Sequence, residues 1–267
     1  MAEPPRKDVW ASGDPYERYV GRWSRLVARE FLAWLKVPTK REWLDLGCGT
    51  GALTRIILQQ SSPARVTGID PSDGFLNTAQ TQVTDQRVEF RKGDAREIPA
   101  ADASFDTTVS GLMLNFVPDH AKAVQEMRRV TRPGGLVAAY VWDYAGDMQL
   151  MRHFWDAAVA LNPQAREMDE GIRFPVCRPE PLTTLFSSNG LSEVSVRGID
   201  VPTIFADFND YWSPFLGGQG PAPGYCMSLS EPDRDALRDR IRAGLPVSPD
   251  GSIRLTARAW AVQGAII

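Results

Sequence analysis

The chain has 267 residues, of which 43% are hydrophobic and 24% charged, and a formal net charge of −3. This size and balance suit one large α/β domain carrying a smaller covering segment, and they argue against a disordered or fibrous chain. Scattered Lys and Arg offer no footprint for a phosphate backbone, so nucleic acid is not an expected partner.

The three cysteines, Cys48, Cys177 and Cys226, are far apart and odd in number, which speaks against a disulfide framework. With His120 and His153 as the only histidines and no Cys-x-x-Cys pair, no metal is expected. The start MAEPPRKDVW lacks a signal-like apolar stretch, and no run approaches the roughly 18 apolar residues of a membrane span. The expectation is a cytoplasmic protein that does not engage membranes.

In chain order, Tyr19, Trp23, Leu26, Val27, Phe31 and Leu35 recur at helical spacing between Tyr16 and Lys36, which predicts an amphipathic helix over a cap segment 1–40. REWLDLG reads as a buried strand entering a tight turn. A helix near Ala52 to Gln60, a strand ARVTGID, a helix near Asp73 to Val83 and a strand RVEFRKGD follow. FDTTVSGL supplies a fourth strand, Asp119 to Val130 a helix, and LVAAYVW a fifth strand after the turn Arg132-Pro133-Gly134-Gly135. This alternation over 41–145 predicts a doubly wound, mostly parallel sheet with helices on both faces.

Over 146–267 the pattern loosens into helices near Met148 to Leu161 and Pro181 to Ser188 and a strand near Ser192 to Ile199. DFNDYWSPFLGGQGPAPGY, rich in glycine, proline and aromatics, reads as a shaped loop. Trp212, Phe215 and Tyr225 within it are candidates for a lid over the site. A helix near Glu231 to Ala243 leads to SIRLTARAWAV, which alternates as a final edge strand, antiparallel to the rest. The whole is expected to be a single domain.

The chemistry concentrates in Asp45-Leu46-Gly47-Cys48-Gly49-Thr50-Gly51, between a strand and a helix, where open α/β sheets bind ligands. Glycines there allow positive φ and close backbone approach, and the following helix presents free N–H groups. The second strand ends in Asp70, followed by Pro71, and a carboxylate at that place accepts both hydroxyls of an adenosine ribose. The third ends in Gly93-Asp94-Ala95, where an acid can accept an adenine amino group and the next N–H can meet a ring nitrogen. Cys48 has no adjacent histidine and reads as a small packing residue.

LDLGCGTG, GIDPS, GDAREIP, FDTTVSGLMLNFVPD and RVTRPGG, in this order over about residues 41–143, resemble the motif set of class I S-adenosylmethionine-dependent methyltransferases. The likeness is strongest to the small-molecule branch that includes the ubiquinone and menaquinone biosynthesis C-methyltransferases. The resemblance implies a Rossmann-like seven-stranded sheet with its last strand antiparallel, and S-adenosylmethionine as cofactor. Asp45, Gly47, Cys48 and Gly49 would flank the methionine part, with Ser110 to Leu112 beside its amino group. Asp70 and Pro71 would hold the ribose, and Asp94 with Ala95 the adenine. The N-terminal helix would cover the cofactor, bringing Tyr16, Tyr19, Arg22 or Trp23 near the carboxylate or the methyl group.

Methyl transfer from a sulfonium is an in-line displacement driven by alignment and water exclusion, and it needs a base only if the acceptor must lose a proton. His120 is the candidate base. Members of this family often carry a histidine near Asn115 and Phe116, which this chain lacks. Asn115, Trp142, Asp143 and Tyr144 are candidate substrate contacts at the ligand-binding edge, and Trp212, Phe215 and Tyr225 as a group suggest an apolar or aromatic small-molecule acceptor. The acceptor atom and the choice between monomer and homodimer stay open. The competing readings are an NAD(P)-dependent oxidoreductase, against which the Gly-x-Gly-x-Gly spacing speaks, and a non-catalytic relic that keeps the cofactor fold.

Overall fold

A computed structural model describes residues 21–218 and 220–267. Its first element, α1 (Arg22–Leu35), is followed by β1 (Glu42–Leu46), α2 (Ala52–Gln60), β2 (Arg65–Asp70), α3 (Asp73–Gln82), β3 (Val88–Lys92) and β4 (Phe105–Gly111). Next come α4 (His120–Val130), β5 (Thr131–Trp142), α5 (Gln149–Leu161), α6 (Glu170–Arg173), α7 (Pro179–Ser188) and β6 (Ser192–Phe205). The chain closes with α8 (Phe208–Trp212), α9 (Pro221–Ser228), α10 (Glu231–Gly244) and β7 (Ile253–Ala265). Short 3₁₀ turns at Leu114–Phe116, Pro163–Met168 and Ser213–Gly217 join some of these.

The strands form one sheet in the order β3-β2-β1-β4-β5-β7-β6. β1 to β5 pair in parallel, and β7 lies antiparallel between β5 and β6. This is the expected mostly parallel sheet with a reversed last strand. Inner strands read as apolar runs because both faces are covered: Trp43, Leu44, Leu46, Val137 to Val141 and Ile69 are all nearly inaccessible. The order changes direction at β1, which is flanked by β2 on one side and β4 on the other. A crevice therefore opens at the carboxyl ends of β1 and β4.

Several local expectations are corrected. Arg132-Pro133-Gly134-Gly135 is not a turn before the fifth strand but part of β5, which slips register between Phe105 and Thr107. The slip brings the backbone close: a Cβ on Gly135 would sit 2.6 Å from the Asp106 carbonyl oxygen. β6 continues six residues beyond Ile199 because it pairs with β7 as far as Phe205↔Ile253. On α1, Trp23, Val27, Phe31 and Leu35 are buried as the spacing predicts, but Leu26 is exposed at the margin of the apolar stripe.

The larger correction concerns the segment read as a lid loop. It is helical, with α8, a 3₁₀ turn and α9 in succession, because Pro214 and Pro221 sit at helix starts where a missing N–H costs nothing. The breaks fall at Gly218 and Gly220, both with positive φ. Phe215 is fully buried, stacked on Phe154 at 4.6 Å and tilted against Tyr211 and Trp212. Trp212 is likewise core, and only Tyr225 of the three remains partly accessible. These rings hold the second half of the chain together and do not swing over an opening. Phe215→Ala should therefore cost about 3–5 kcal/mol, as for a buried core ring, read as the shift in urea midpoint at unchanged slope. A mobile lid residue would cost almost nothing.

Candidate active site

The crevice encloses a cavity of about 320 Å³. Its floor is the β1–α2 loop. Gly47, Gly49 and Gly51 all adopt positive φ there, at 71°, 53° and 82°. Their roles differ. A side chain on Gly47 would run into Met113, and one on Gly51 would press on Val83 at 3.1 Å, whereas a Cβ on Gly49 would meet nothing within 4 Å. Gly49 is thus the position where the loop leaves space for something else.

Two carboxylates stand beside this loop. Asp70 closes β2 and is clamped by backbone, its Oδ2 accepting from Gly49 N–H at 3.0 Å and its Oδ1 from Ser72 N–H at 2.9 Å. Burial raises its pKa, and these two hydrogen bonds oppose the rise. Asp45 is deeper, 1% exposed. One oxygen accepts from Thr54 Oγ1 at 2.7 Å, and the other, Oδ1, has no partner. Burial pushes this carboxyl up to about 7, with the charge of Asp70 adding to the effect.

The rest of the lining comes from the segment after β4, the exit of β5 and the second half of the chain. Trp142, Tyr144 and Phe116 line it with Met113 and Met151. Tyr140 joins them where the backbone gives way, since a Cβ on its strand partner Gly111 would lie 2.6 Å from the Tyr140 hydroxyl. Leu112, also on the wall, takes φ 58° without being glycine, and its N–H donates to the Tyr140 carbonyl at 2.8 Å. Glu170, at the first position of α6, completes the lining.

Of the residues singled out in the sequence, Asp45, Gly47, Cys48, Gly49, Asp70, Pro71, Leu112, Trp142 and Tyr144 line the cavity together. Others do not. Asp94 is half exposed, locked to Arg96 by its guanidinium at 2.7 and 2.9 Å and by its backbone N–H, and this pairing holds the carboxyl down at about 2. Ala95 beside it is core. Neither is on the cavity wall.

Ser110 is buried within β4, its hydroxyl without a partner, and Asn115 is buried in the 3₁₀ turn with both amide atoms unpaired. Both lie behind the wall residues Gly111, Leu112, Met113 and Phe116. Asp143 is a turn former, its Oδ2 accepting from Asp147 N–H at 2.9 Å. His120 begins α4 after the cap Asp119, its Nε2 buried and unpartnered, away from the cavity wall.

Arg22 is committed elsewhere, bonded to Asp210 at 2.9 Å and stacked over Trp23 and Phe205 at 4.4 and 4.8 Å. Ser24, and not Trp23, is the α1 residue on the cavity wall. Tyr16 and Tyr19 lie outside the described residues. The sequence reading missed Glu170, Met151 and Pro221, because nothing in the local pattern marks them as neighbours of the glycine loop. Phe116 sat within a recognised motif and Tyr140 within the predicted fifth strand, but neither was singled out as a site residue. Among the described residues no cluster of His, Cys, Asp and Glu can hold a metal ion, and no helix is long and apolar enough to cross a membrane.

The raised carboxyls tie stability to pH. Asp45 and Glu170 are both pushed up to about 7, above their values in an unfolded chain. The native state therefore keeps protons that the unfolded state releases, and the unliganded protein loses stability as pH rises from about 4 to about 7. Asp45→Asn should stabilise it at pH 8 by a few kcal/mol, at roughly 1.4 kcal/mol for each pH unit separating the two states. At pH 4 it should bring little gain. Urea unfolding of both proteins at the two pH values checks this, and an equal effect at both would remove the ionisation argument.

Residues 44–139 match a family model described as a methyltransferase domain. The chain is 29% identical over 175 residues to a demethylmenaquinone methyltransferase of Desulfitobacterium hafniense, covering 58% of this chain and 68% of that one. It is 34% identical over 133 residues to the enzyme of the same description in Halalkalibacterium halodurans, covering 46% and 54%. Over 96 residues it is 41% identical to that of Staphylococcus aureus, covering 35% and 40%. The chain thus spans between two fifths and about two thirds of the curated relatives it matches.

Among solved structures it is similar to phosphoethanolamine N-methyltransferase 2 of Haemonchus contortus, with TM-score 0.60 and 17% identity, covering 95% of this chain and 57% of that one. The YcgJ protein of Bacillus subtilis gives TM-score 0.57 and 18% identity, covering 91% and 97%. These structural likenesses show the fold. The family match places a methyltransferase domain at residues 44–139, and with the ordered motifs around the glycine loop the chain resembles class I S-adenosylmethionine-dependent methyltransferases, in sequence the demethylmenaquinone methyltransferases.

Proposed function

We propose that this chain transfers the methyl group of S-adenosylmethionine to a small, neutral, predominantly apolar acceptor. The observation that carries this reading is the mixed lining of the cavity. Carboxylates and an open glycine loop share it with a wall of aromatic and thioether side chains.

The carboxylates and the glycine loop fit the cofactor on their own terms. Asp45 Oδ1 is buried with no donor to satisfy it, and it can pair with the cationic methionine end directly or through one water. The space over Gly49 admits the chain linking methionine to ribose. Asp70, held rigidly by two backbone N–H groups, keeps further lone pairs for the ribose hydroxyls. Pro71 and Phe75 extend the wall beyond it to take the adenine face.

Once bound, the cofactor supplies an electrophilic methyl carbon on a positively charged sulfur. The chain's own residues supply position and dryness. Tyr140, Trp142 and Phe116 hold a flat acceptor against the methyl, and α5 and α9 close the cavity through Met151 and Pro221 so that water does not compete. An apolar wall discriminates by shape, and it discourages charged acceptors because their hydration is lost on entry.

Isothermal titration of the purified chain with S-adenosylmethionine, S-adenosylhomocysteine and NADH tests the cofactor. The first two should bind with micromolar affinity and NADH should give no heat. Gly49→Val and Asp70→Ala should each weaken S-adenosylhomocysteine at least tenfold, whereas Asp94→Ala should change it less than twofold. NADH binding in place of the other two would overturn the assignment.

A further inference from the structure

Glu170 has no counterpart among the motifs, yet it is built into the cavity wall. It is 1% exposed, and Trp155 Nε1 donates to its Oε2. Its helix α6 is fastened from several sides. The cap Asp169 accepts from Gly171 N–H at 2.8 Å and from Arg152 of α5 at 2.6 Å, while Arg178 reaches the Gly171 carbonyl at 3.3 Å. A Cβ on Gly171 would lie 3.0 Å from the Tyr144 carbonyl oxygen, so α6 is pressed onto the exit of β5. Phe174, one residue beyond α6, packs edge-on to Phe116 at 5.2 Å and against Tyr144 at 5.7 Å. The carboxyl is therefore fixed among the very rings that line the cavity.

Glu170 lies in the first turn of α6, a position that favours an acidic side chain, but burial there is costly for an ionisable group. The carbonyl of a glutamine would accept the same indole N–H without the cost of burying an ionisable group. Burial pushes Glu170 up to about 7. Of the charged groups around it, Asp169 raises this value and Arg173 on its own helix lowers it; Arg152 is taken up by Asp169, and the Cys177 thiol is itself pushed up by burial. A carboxyl so placed is half ionised near neutral pH, the condition in which a base works best.

We propose that Glu170 is the catalytic base of this site and that the acceptor is an aromatic ring bearing a hydroxyl group. This rests on the reading of the cavity as a methyl-transfer site. The hydroxyl proton passes to the Glu170 carboxylate, and the O–H electron pair stays on oxygen. That oxygen forms the new bond to the methyl carbon while the carbon–sulfur bond breaks, its pair remaining on sulfur as the neutral thioether. Glu170 gives its proton to water when the product leaves. An ammonium acceptor fits less well, since a cation would shed its hydration among Phe116, Trp142, Tyr144 and Met151 while facing a second positive charge on sulfur.

The experiment uses the full chain with 1-naphthol and 1-naphthylmethylamine as paired probes at saturating S-adenosylmethionine, with S-adenosylhomocysteine affinity measured separately. The wild type should methylate 1-naphthol, detected by mass spectrometry, with kcat rising through a pH near 7. Glu170→Gln should lower kcat by about 100- to 10,000-fold and flatten the profile, leaving S-adenosylhomocysteine affinity within twofold and thermal stability undiminished. Trp155→Phe, which removes the donor to the carboxylate, should move the inflection to higher pH. Full activity in Glu170→Gln, methylation of the amine alone, or no turnover of either probe by a wild type that binds S-adenosylhomocysteine overturns the proposal. A wild type that fails to bind S-adenosylhomocysteine overturns the cofactor reading beneath it instead.

Discussion

A buried carboxylate held only through Thr54 is costly, and the site is organised around that cost. Asp45 sits one residue before the end of a central strand, its Oδ2 bonded to Thr54 and its Oδ1 without a hydrogen-bond partner. An ion in this position is stable only beside a positive charge or a proton. Unliganded, the proton serves; a cationic ligand would replace it. The glycine loop, the clamped Asp70 and the packing of α1 over β6, β7 and α2 hold the surroundings of that one atom in place.

How much of this the amino-acid order reveals depends on the range of the interactions. The floor of the cavity was legible because its causes are local. Positive φ demands glycine at 47, 49 and 51, and the strand that must be buried on both faces reads as a run of apolar residues. Asp70 was legible for the same reason, as the end of the next strand.

The rest of the wall was not legible. Trp155 and Glu170 meet across 15 residues and two elements, and α6 is four residues long, too short for any periodicity to announce it. Asp94 ends its strand as expected, but its neighbour two residues on, Arg96, takes up both carboxyl oxygens, and it is not on the cavity wall. The aromatics from Phe208 to Phe215 misled by their neighbours. Glycine and proline around them suggested a loop, yet proline placed at helix starts favours helix, and rings that stack at 4.6 Å belong to an interior.

Two of the side chains that line the cavity are methionines, Met113 beside Gly47 and Met151 on α5. Unbranched thioethers rotate about three bonds and mould themselves to irregular shapes at little cost. A wall in which rigid rings alternate with such pliable chains sets an outline without fixing every contour. Such a wall can be refitted to a different guest by altering a few side chains at a time, while the glycine floor stays as it is.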